Sequence, residues 1–231
     1  MARRIQASEK LAAVGTMTAG LSHEIRNPLN AAGLQLSVLE HRIEKLADDV
    51  KTPLLAPLHL IRDEIERLDH LLEDFLHMAR PREPDLTRVE LGSLVGRVLD
   101  FFEQDAERRL IQTHRHFEEG LTVDADEYQL RQVVMNLCLN ALEASPPNGR
   151  IDVTIATDQT GVALTIDDSG HGVPLALRER IFEPFFTTKA QGSGLGLPIV
   201  RAIIIQHGGS LEVFDAPSGG ARFVVSLPGR S

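Results

Sequence analysis

The chain has 231 residues, 25% of them charged and 42% hydrophobic, an ordinary globular balance that excludes a largely disordered polypeptide and suits one or two domains. Its formal charge of −9 disfavours nonspecific attachment to nucleic acid or anionic membrane, and the absence of Trp with a single Tyr argues against an aromatic base-stacking platform. Cys138 is the lone cysteine, which excludes an intramolecular disulfide and a cysteine-built zinc site.

Met1 to Lys10 is charged and lacks the apolar core of a signal peptide. No stretch reaches the roughly 20 apolar residues that span a bilayer. The expectation is a soluble, cytoplasmic chain, with membrane attachment only through a sensor region outside it.

Residues 1–80 read as all-helical. A heptad seam runs through Leu11, Val14, Thr18, Leu21, Ile25, Leu29, Ala32, Leu36, Leu39, Ile43 and Leu46. Two consecutive four-residue gaps, from Leu21 to Leu29, form a stutter that locally unwinds a supercoil, and Pro28 inside it removes a backbone donor and predicts a kink. The seam resumes at Leu54, Leu58, Ile61, Ile65, Leu68, Leu72 and Phe75. Asp48 to Pro53 between the arms predicts the turn, with Thr52 as cap before proline. The first arm, about 45 residues, would extend roughly 65 to 70 Å. A single hairpin cannot enclose such a seam, so a homodimeric four-helix bundle is the expectation. The alternative is a monomer whose hairpin folds onto the rest of the chain.

Pro81 and Pro84 with mixed charge mark a linker at 81–87. Beyond it, the pattern predicts helices at 92–109, 126–144 and 195–206. Strands are predicted at 111–117, 121–124, 151–157, 162–167, 211–214 and 222–227. Helices with a largely antiparallel sheet make 88–231 a two-layer α/β sandwich.

Four motifs carry chemistry. In Ser22-His23-Glu24-Ile25-Arg26-Asn27-Pro28, His23 lies about 200° around the helix from Leu21 and so faces solvent. An imidazole with a free lone pair at neutral pH can attack a phosphoryl group. A lone exposed histidine is commonly just that, however, and its cooperation with Glu24 does not follow from spacing. Asn136 and Asn140, at i and i+4 on an otherwise apolar helix, form a polar notch whose neutral oxygens suit Mg²⁺. For one such pair alone, solvated amides are the commoner case. Asp167-Asp168-Ser169-Gly170-His171-Gly172 follows a strand, where a carboxylate can accept from an exocyclic amine and glycines admit a close ligand; a tight turn explains it as well. Gly192-Ser193-Gly194-Leu195-Gly196 opens a helix, a phosphate-binding arrangement of neither Walker nor Rossmann type. Between the last two, Ile181 to Lys189 carries Phe182, Phe185 and Phe186 and is a lid candidate. The remaining histidines, His114 and His116 among them, lack acidic or cysteine partners at metal spacing and read as surface residues, and Cys138 reads as a packing residue.

Taken in order, His-Glu-x-x-Asn-Pro, Asn-x-x-x-Asn, Asp-x-Gly-x-Gly, Phe-x-Pro-Phe and Gly-x-Gly-x-Gly resemble a sensor histidine kinase over nearly the whole chain. The resemblance is to a His kinase A dimerization and phosphoacceptor domain (1–80), a linker (81–87) and a GHKL, or Bergerat-type, ATP-binding domain (88–231). It implies a protein-histidine kinase that uses ATP and Mg²⁺, forms a homodimer and passes phosphate to a response regulator, with no nucleic acid involved. It implies His23 as phosphoacceptor, Glu24 as the acid that orients it and takes its proton, and Asn27 as the residue that positions water in dephosphorylation. Asn140 would hold Mg²⁺ with Asn136 nearby, Asp168 would read the adenine amine, and Gly170 and Gly172 would shape that pocket. Gly192, Gly194 and Gly196 would face the phosphates and hinge the lid, Leu195 among them would belong to the nucleotide-binding set, and the three Phe would anchor the lid. Some members carry a basic residue where this chain has Glu143, which leaves phosphate charge to Mg²⁺, glycine amides or Lys189. Related ATPases place a general-base Glu where this chain has Asn136, which favours transfer to histidine over transfer to water. The other readings are a GHKL-type ATPase and a nucleotide-binding dimeric scaffold.

Overall fold

The structure is a computed structural model that describes residues 27–46, 48–79, 83–159, 161–189 and 192–229. The chain divides into two compact units, Met1–Arg82 and Glu83–Ser231.

In the first unit, helix α1 covers 27–43 of the described residues and ends in a turn at 44–46. Helix α2 follows at Asp48–Ala79. The turn therefore falls earlier than the sequence pattern suggests, and Thr52-Pro53 lies inside α2. Pro53 and Pro57 are both exposed and each deletes one backbone donor, a loss this 32-residue helix absorbs. The arms meet where Ile43 and Leu58 are buried, and where the Glu40 carboxylate takes hydrogen bonds from His59 Nε2 at 2.9 Å and Arg62 Nη1 at 2.9 Å. The His59 bond is the main cause that holds the Glu40 carboxyl below its usual range. Leu39, Leu46, Leu54, Ile61 and Leu68 of the same seam remain 43 to 52% exposed, so one hairpin leaves much of its apolar stripe in water. Pro28 stands at the edge of the described residues, exposed, and its predicted kink extends outside them.

The second unit is built on two sheets. A short antiparallel pair joins β1 (Thr87–Glu90) to β3 (Thr122–Ala125). The main sheet has the order β2-β4-β5-β7-β6, with β2 (Gln112–Phe117), β4 (Arg150–Thr157), β5 (Gly161–Asp168), β6 (Ser210–Asp215) and β7 (Ala221–Pro228). Only β2 and β4 run parallel; the other pairs are antiparallel. Helices α3 (Leu91–Arg108), α4 (Glu127–Ala144) and α5 (Gly196–Gln206) form the second layer, with α4 packed against both of the others.

The core lies between the layers. Ile151, Val153 and Ile155 of β4, Val162, Leu164 and Ile166 of β5, and Phe223, Val225 and Leu227 of β7 alternate inward, as the period of a strand requires. They meet Leu94, Val95 and Val98 of α3, Leu130, Val133, Val134 and Leu137 of α4, and Ile199, Val200 and Ile203 of α5. Each such side chain withdrawn from water stabilises the fold by about 1.5 to 3 kcal/mol before entropy is counted. Cys138 sits in this core, and burial pushes its thiol up to about 12, which leaves it unionised and inert at neutral pH. Among the described residues, no helix is long and apolar enough to cross a membrane.

Strand β1 was not legible in the sequence. It holds one buried residue, Val89, and owes its conformation to pairing with β3. Glu90 then caps α3, its carboxylate accepting from Gly92 N at 3.1 Å and Ser93 N at 2.6 Å.

Candidate functional site

Helix α4 is the spine of the site. Asp126 caps it: Oδ1 accepts from Gln129 N at 3.1 Å and Oδ2 from Asp85 N at 3.1 Å. Burial pushes the Asp126 carboxyl up, but the Gln129, Asp85 and Tyr128 N–H groups outweigh it and hold the group below its usual range. Asp126 N in turn donates to Nε2 of the buried His207, whose Nδ1 bonds the Ile203 carbonyl at 2.8 Å. The start of α4 is thus tied to the end of α5.

Along α4, three contacts fall on one face. Asn136 donates Nδ2 to the Gln132 carbonyl at 3.0 Å, and its Oδ1 lies against the first residue of α5: a Cβ on Gly196 would stand 2.7 Å from it. One turn on, Asn140 Oδ1 accepts from Lys189 Nζ at 2.8 Å, and Glu143 Oε2 pairs with the same ammonium at 2.5 Å. At the helix end, Gly170 packs so closely that a Cβ there would stand 2.6 Å from the Ala144 carbonyl oxygen. From Asn136 to Ala144 the face extends about 12 Å.

Beside the Ala144 end stands Asp168, 3% exposed, in phase with the inward residues of β5. Its Oδ1 accepts from Gly170 N at 2.8 Å and Ala221 N at 3.1 Å, while Oδ2 takes no hydrogen bond from the described residues. Burial raises its carboxyl above the usual range, against the opposing pull of the Ala221 and Gly170 N–H groups. Ser218 Oγ donates to the Asp168 carbonyl at 2.9 Å, and Gly220 is so close that a Cβ would stand 2.3 Å from Oδ1. Gly172, with φ +69°, faces the Gly220 carbonyl. Sequence reasoning missed Ser218, Gly220 and Ala221, although the Gly-Gly pair ahead of the last strand was a signal of close approach. The adjacent Asp167 points the other way and is held by both Arg222 Nε at 2.7 Å and Nη2 at 2.6 Å.

At the Asn136 end, α5 begins with no side-chain cap on its first amides. Leu195 is buried, so only its backbone is available to a ligand. Gly194, at φ +66°, accepts at its carbonyl from Phe185 N at 2.9 Å; a Cβ there would stand 2.6 Å from the Phe185 carbonyl carbon. Phe182 and Phe186 are half-buried, with Arg201 and Arg180 stacked on their rings at 5.1 and 4.5 Å. Phe185 is 59% exposed and left-handed, so its ring is not an anchor of this loop. Gly192 packs against Thr187, whose Oγ1 accepts from Lys189 N at 3.0 Å.

A hard divalent cation suits this donor set. Asn140 Oδ1 already lies within hydrogen-bonding distance of a cationic group, and Mg²⁺ takes few protein oxygens, leaving the rest to water and phosphate. Among the described residues, no three His, Cys, Asp or Glu side chains gather to hold a metal by themselves. Asn27 is exposed at the start of described α1, and His23 and Glu24 lie outside the described residues.

Two family models match the chain: the His Kinase A (phospho-acceptor) domain over residues 13–84, and the histidine kinase-, DNA gyrase B- and HSP90-like ATPase over 125–231. The sensor histidine kinase ZraS of Escherichia coli O157:H7 is 37% identical across 95% of the chain. The chain spans about half of that relative, 47% of its length. The catalytic domain of histidine kinase ThkA superimposes with a TM-score of 0.59 at 38% identity, over 62% of this chain and 95% of that one. ThkA in complex with the response regulator protein TrrA matches with a TM-score of 0.68 at 33% identity, over 96% of this chain and 64% of that one.

Proposed function

The chain belongs to the histidine kinase family, and from that premise we propose that it is the catalytic core of a two-component sensor kinase. It transfers the γ-phosphoryl group of ATP to His23 and then to an aspartate of a response regulator. The observation that carries this reading is the polarity of the α4 face: a buried carboxylate with a free oxygen at one end, uncapped helix amides at the other, and Asn140 between them.

Asp168 Oδ2 accepts from the adenine amine while Gly170 and Gly172 shape the pocket around it. The Gly196 and Leu197 amides at the α5 terminus meet the phosphates, where aligned peptide dipoles favour negative charge. Asn140 Oδ1 holds the divalent ion, which when bound supplies charge neutralisation on the phosphate oxygens. Gly192, Gly194 and Leu195 contribute backbone to this end, and Lys189 a positive charge. A ring nitrogen of His23 attacks the γ-phosphorus, the bond to the bridging oxygen breaks, ADP leaves, and Glu24 takes the imidazole proton. Phosphoryl transfer of this kind demands positioning and charge neutralisation rather than covalent help. Asn136, an amide bonded back to its own helix, cannot act as general base toward water, which supports histidine as acceptor. Asn27 orients water when the regulator is dephosphorylated.

The exposed half of the hairpin seam supports a homodimer in which two hairpins close a four-helix bundle. We assign phosphotransfer and dimerization to 1–80 and ATP binding to 88–231, with a linker at 81–87. The regulator docks on the bundle near His23, and the core works in the cytoplasm.

Incubation with γ-labelled ATP and Mg²⁺ tests the reading. Native protein acquires acid-labile, base-stable label, and His23→Gln and Asn140→Ala do not. ATP turnover that survives His23→Gln would instead identify a GHKL-type ATPase, and nucleotide binding without label a scaffold.

A further inference from the structure

Asn140 and Glu143 stand three residues apart on α4 and share a face. A single ammonium, Lys189 Nζ, lies 2.8 Å from Asn140 Oδ1 and 2.5 Å from Glu143 Oε2. Two oxygens from one helical turn, one neutral and one anionic, therefore converge on one cation. A hard divalent ion wants the same set: one or two protein oxygens, a carboxylate among them, with water and phosphate completing the shell. Charge points the same way. A carboxylate beside a polyphosphate repels it unless a cation lies between, and Glu143 makes no other ion pair among the described residues.

We propose that Glu143 is a second protein ligand, beside Asn140, for the divalent ion that accompanies the nucleotide, and that Lys189 competes with that ion for the same two oxygens. The proposal rests on the nucleotide-binding reading above and adds to it a ligand and a competitor. Seating the divalent ion displaces the Lys189 ammonium from both oxygens. Glu143 thereby makes nucleotide binding strongly metal-dependent: without the ion it repels phosphate, and with the ion it becomes part of the clamp.

The test uses the full chain, saturating ADP and Mn²⁺ in place of Mg²⁺, with free Mn²⁺ read from its electron paramagnetic resonance signal. Glu143→Gln weakens Mn²⁺ binding to the ADP complex on the order of 10-fold, and leaves ADP binding in chelator equal or tighter. Lys189→Met removes the competitor and tightens Mn²⁺ binding roughly 3-fold, the scale of an exposed ion pair. Both side chains are 40% exposed, so both variants keep the native melting temperature. Mn²⁺ affinity unchanged in Glu143→Gln, or weakened in Lys189→Met, overturns the proposal. A native chain that binds no ADP even with Mn²⁺ overturns the nucleotide-binding reading itself.

Discussion

Asp168→Asn separates recognition from folding. Oδ1 of Asp168 accepts two backbone N–H groups, from Gly170 and Ala221, and only Oδ2 is left for a ligand. Asparagine keeps the first oxygen in place and presents an N–H where the second stood. A hydrogen bond to a charged acceptor contributes about 1.5 to 3 kcal/mol. Its loss weakens ATP binding by about 10- to 150-fold, and more where two donors face each other. Inosine triphosphate presents an oxygen in place of the adenine amine, so the variant prefers it. The folded-state pKa of Asp168 is raised, so the ionised carboxylate is the less favoured form in the fold, and its stability contribution is lost as pH rises through that pKa. The neutral amide of the variant carries no such penalty. The variant therefore melts at or above the native temperature at pH 7, and the difference closes as pH falls toward the unfolded value of about 4. Asp168→Ala, by contrast, orphans two amides at about 1 to 3 kcal/mol each. Calorimetric titration with ATP and inosine triphosphate, with melting curves between pH 5 and 8, reads both effects. Native ATP affinity with an unmoved nucleotide preference in Asp168→Asn would refute the reasoning.

Other consequences are equally direct. Asp126→Ala removes the α4 cap and the Asp85 tie, costing about 1 to 2 kcal/mol and lowering the melting temperature by several degrees. Because the Asp126 pKa is depressed in the fold, its contribution is present above the unfolded value near 4 and lost as pH falls through the folded one. Acid titration of stability thus flattens in the variant, and an unchanged acid limb would contradict this. Gly194→Ala meets both a left-handed φ and a carbon at 2.6 Å, so it costs about 1 to 3 kcal/mol locally and weakens nucleotide binding more than it lowers global stability; equal affinity for a fluorescent ADP analogue would contradict it. Cys138, buried with its thiol at about 12, resists iodoacetamide at pH 8 until the protein unfolds, and rapid stoichiometric labelling of the native chain would show otherwise.

Much of this molecule is legible in local pattern. The 3.5-residue seam, the alternation of β4, β5 and β7, and the glycine-rich opening of α5 are each contained in a short window, where period and backbone freedom decide. The alternation even sorts the neighbouring carboxylates: Asp168 falls in phase with Val162, Leu164 and Ile166, and Asp167 falls out of phase. Strand β1 and the true start of α2 escape such reading. Four residues with one buried valine have no period, and the proline at position 53 imitates a helix start while standing six residues inside one.

What the sequence by itself determined was the inward alternation of β4, β5 and β7 and the apolar seam of the hairpin, because each follows from the geometry of a single strand or helix; it did not sort His207, read as a surface residue and found buried. What only the tertiary structure decided was who meets whom. Ala221 and Ser218 reach Asp168 from some fifty positions away. Lys189 bridges Asn140 and Glu143 across a similar distance. His207 receives the Asp126 amide from the far end of the fold. Those partnerships depend on how the packed layers bring remote turns together, and no local period encodes that.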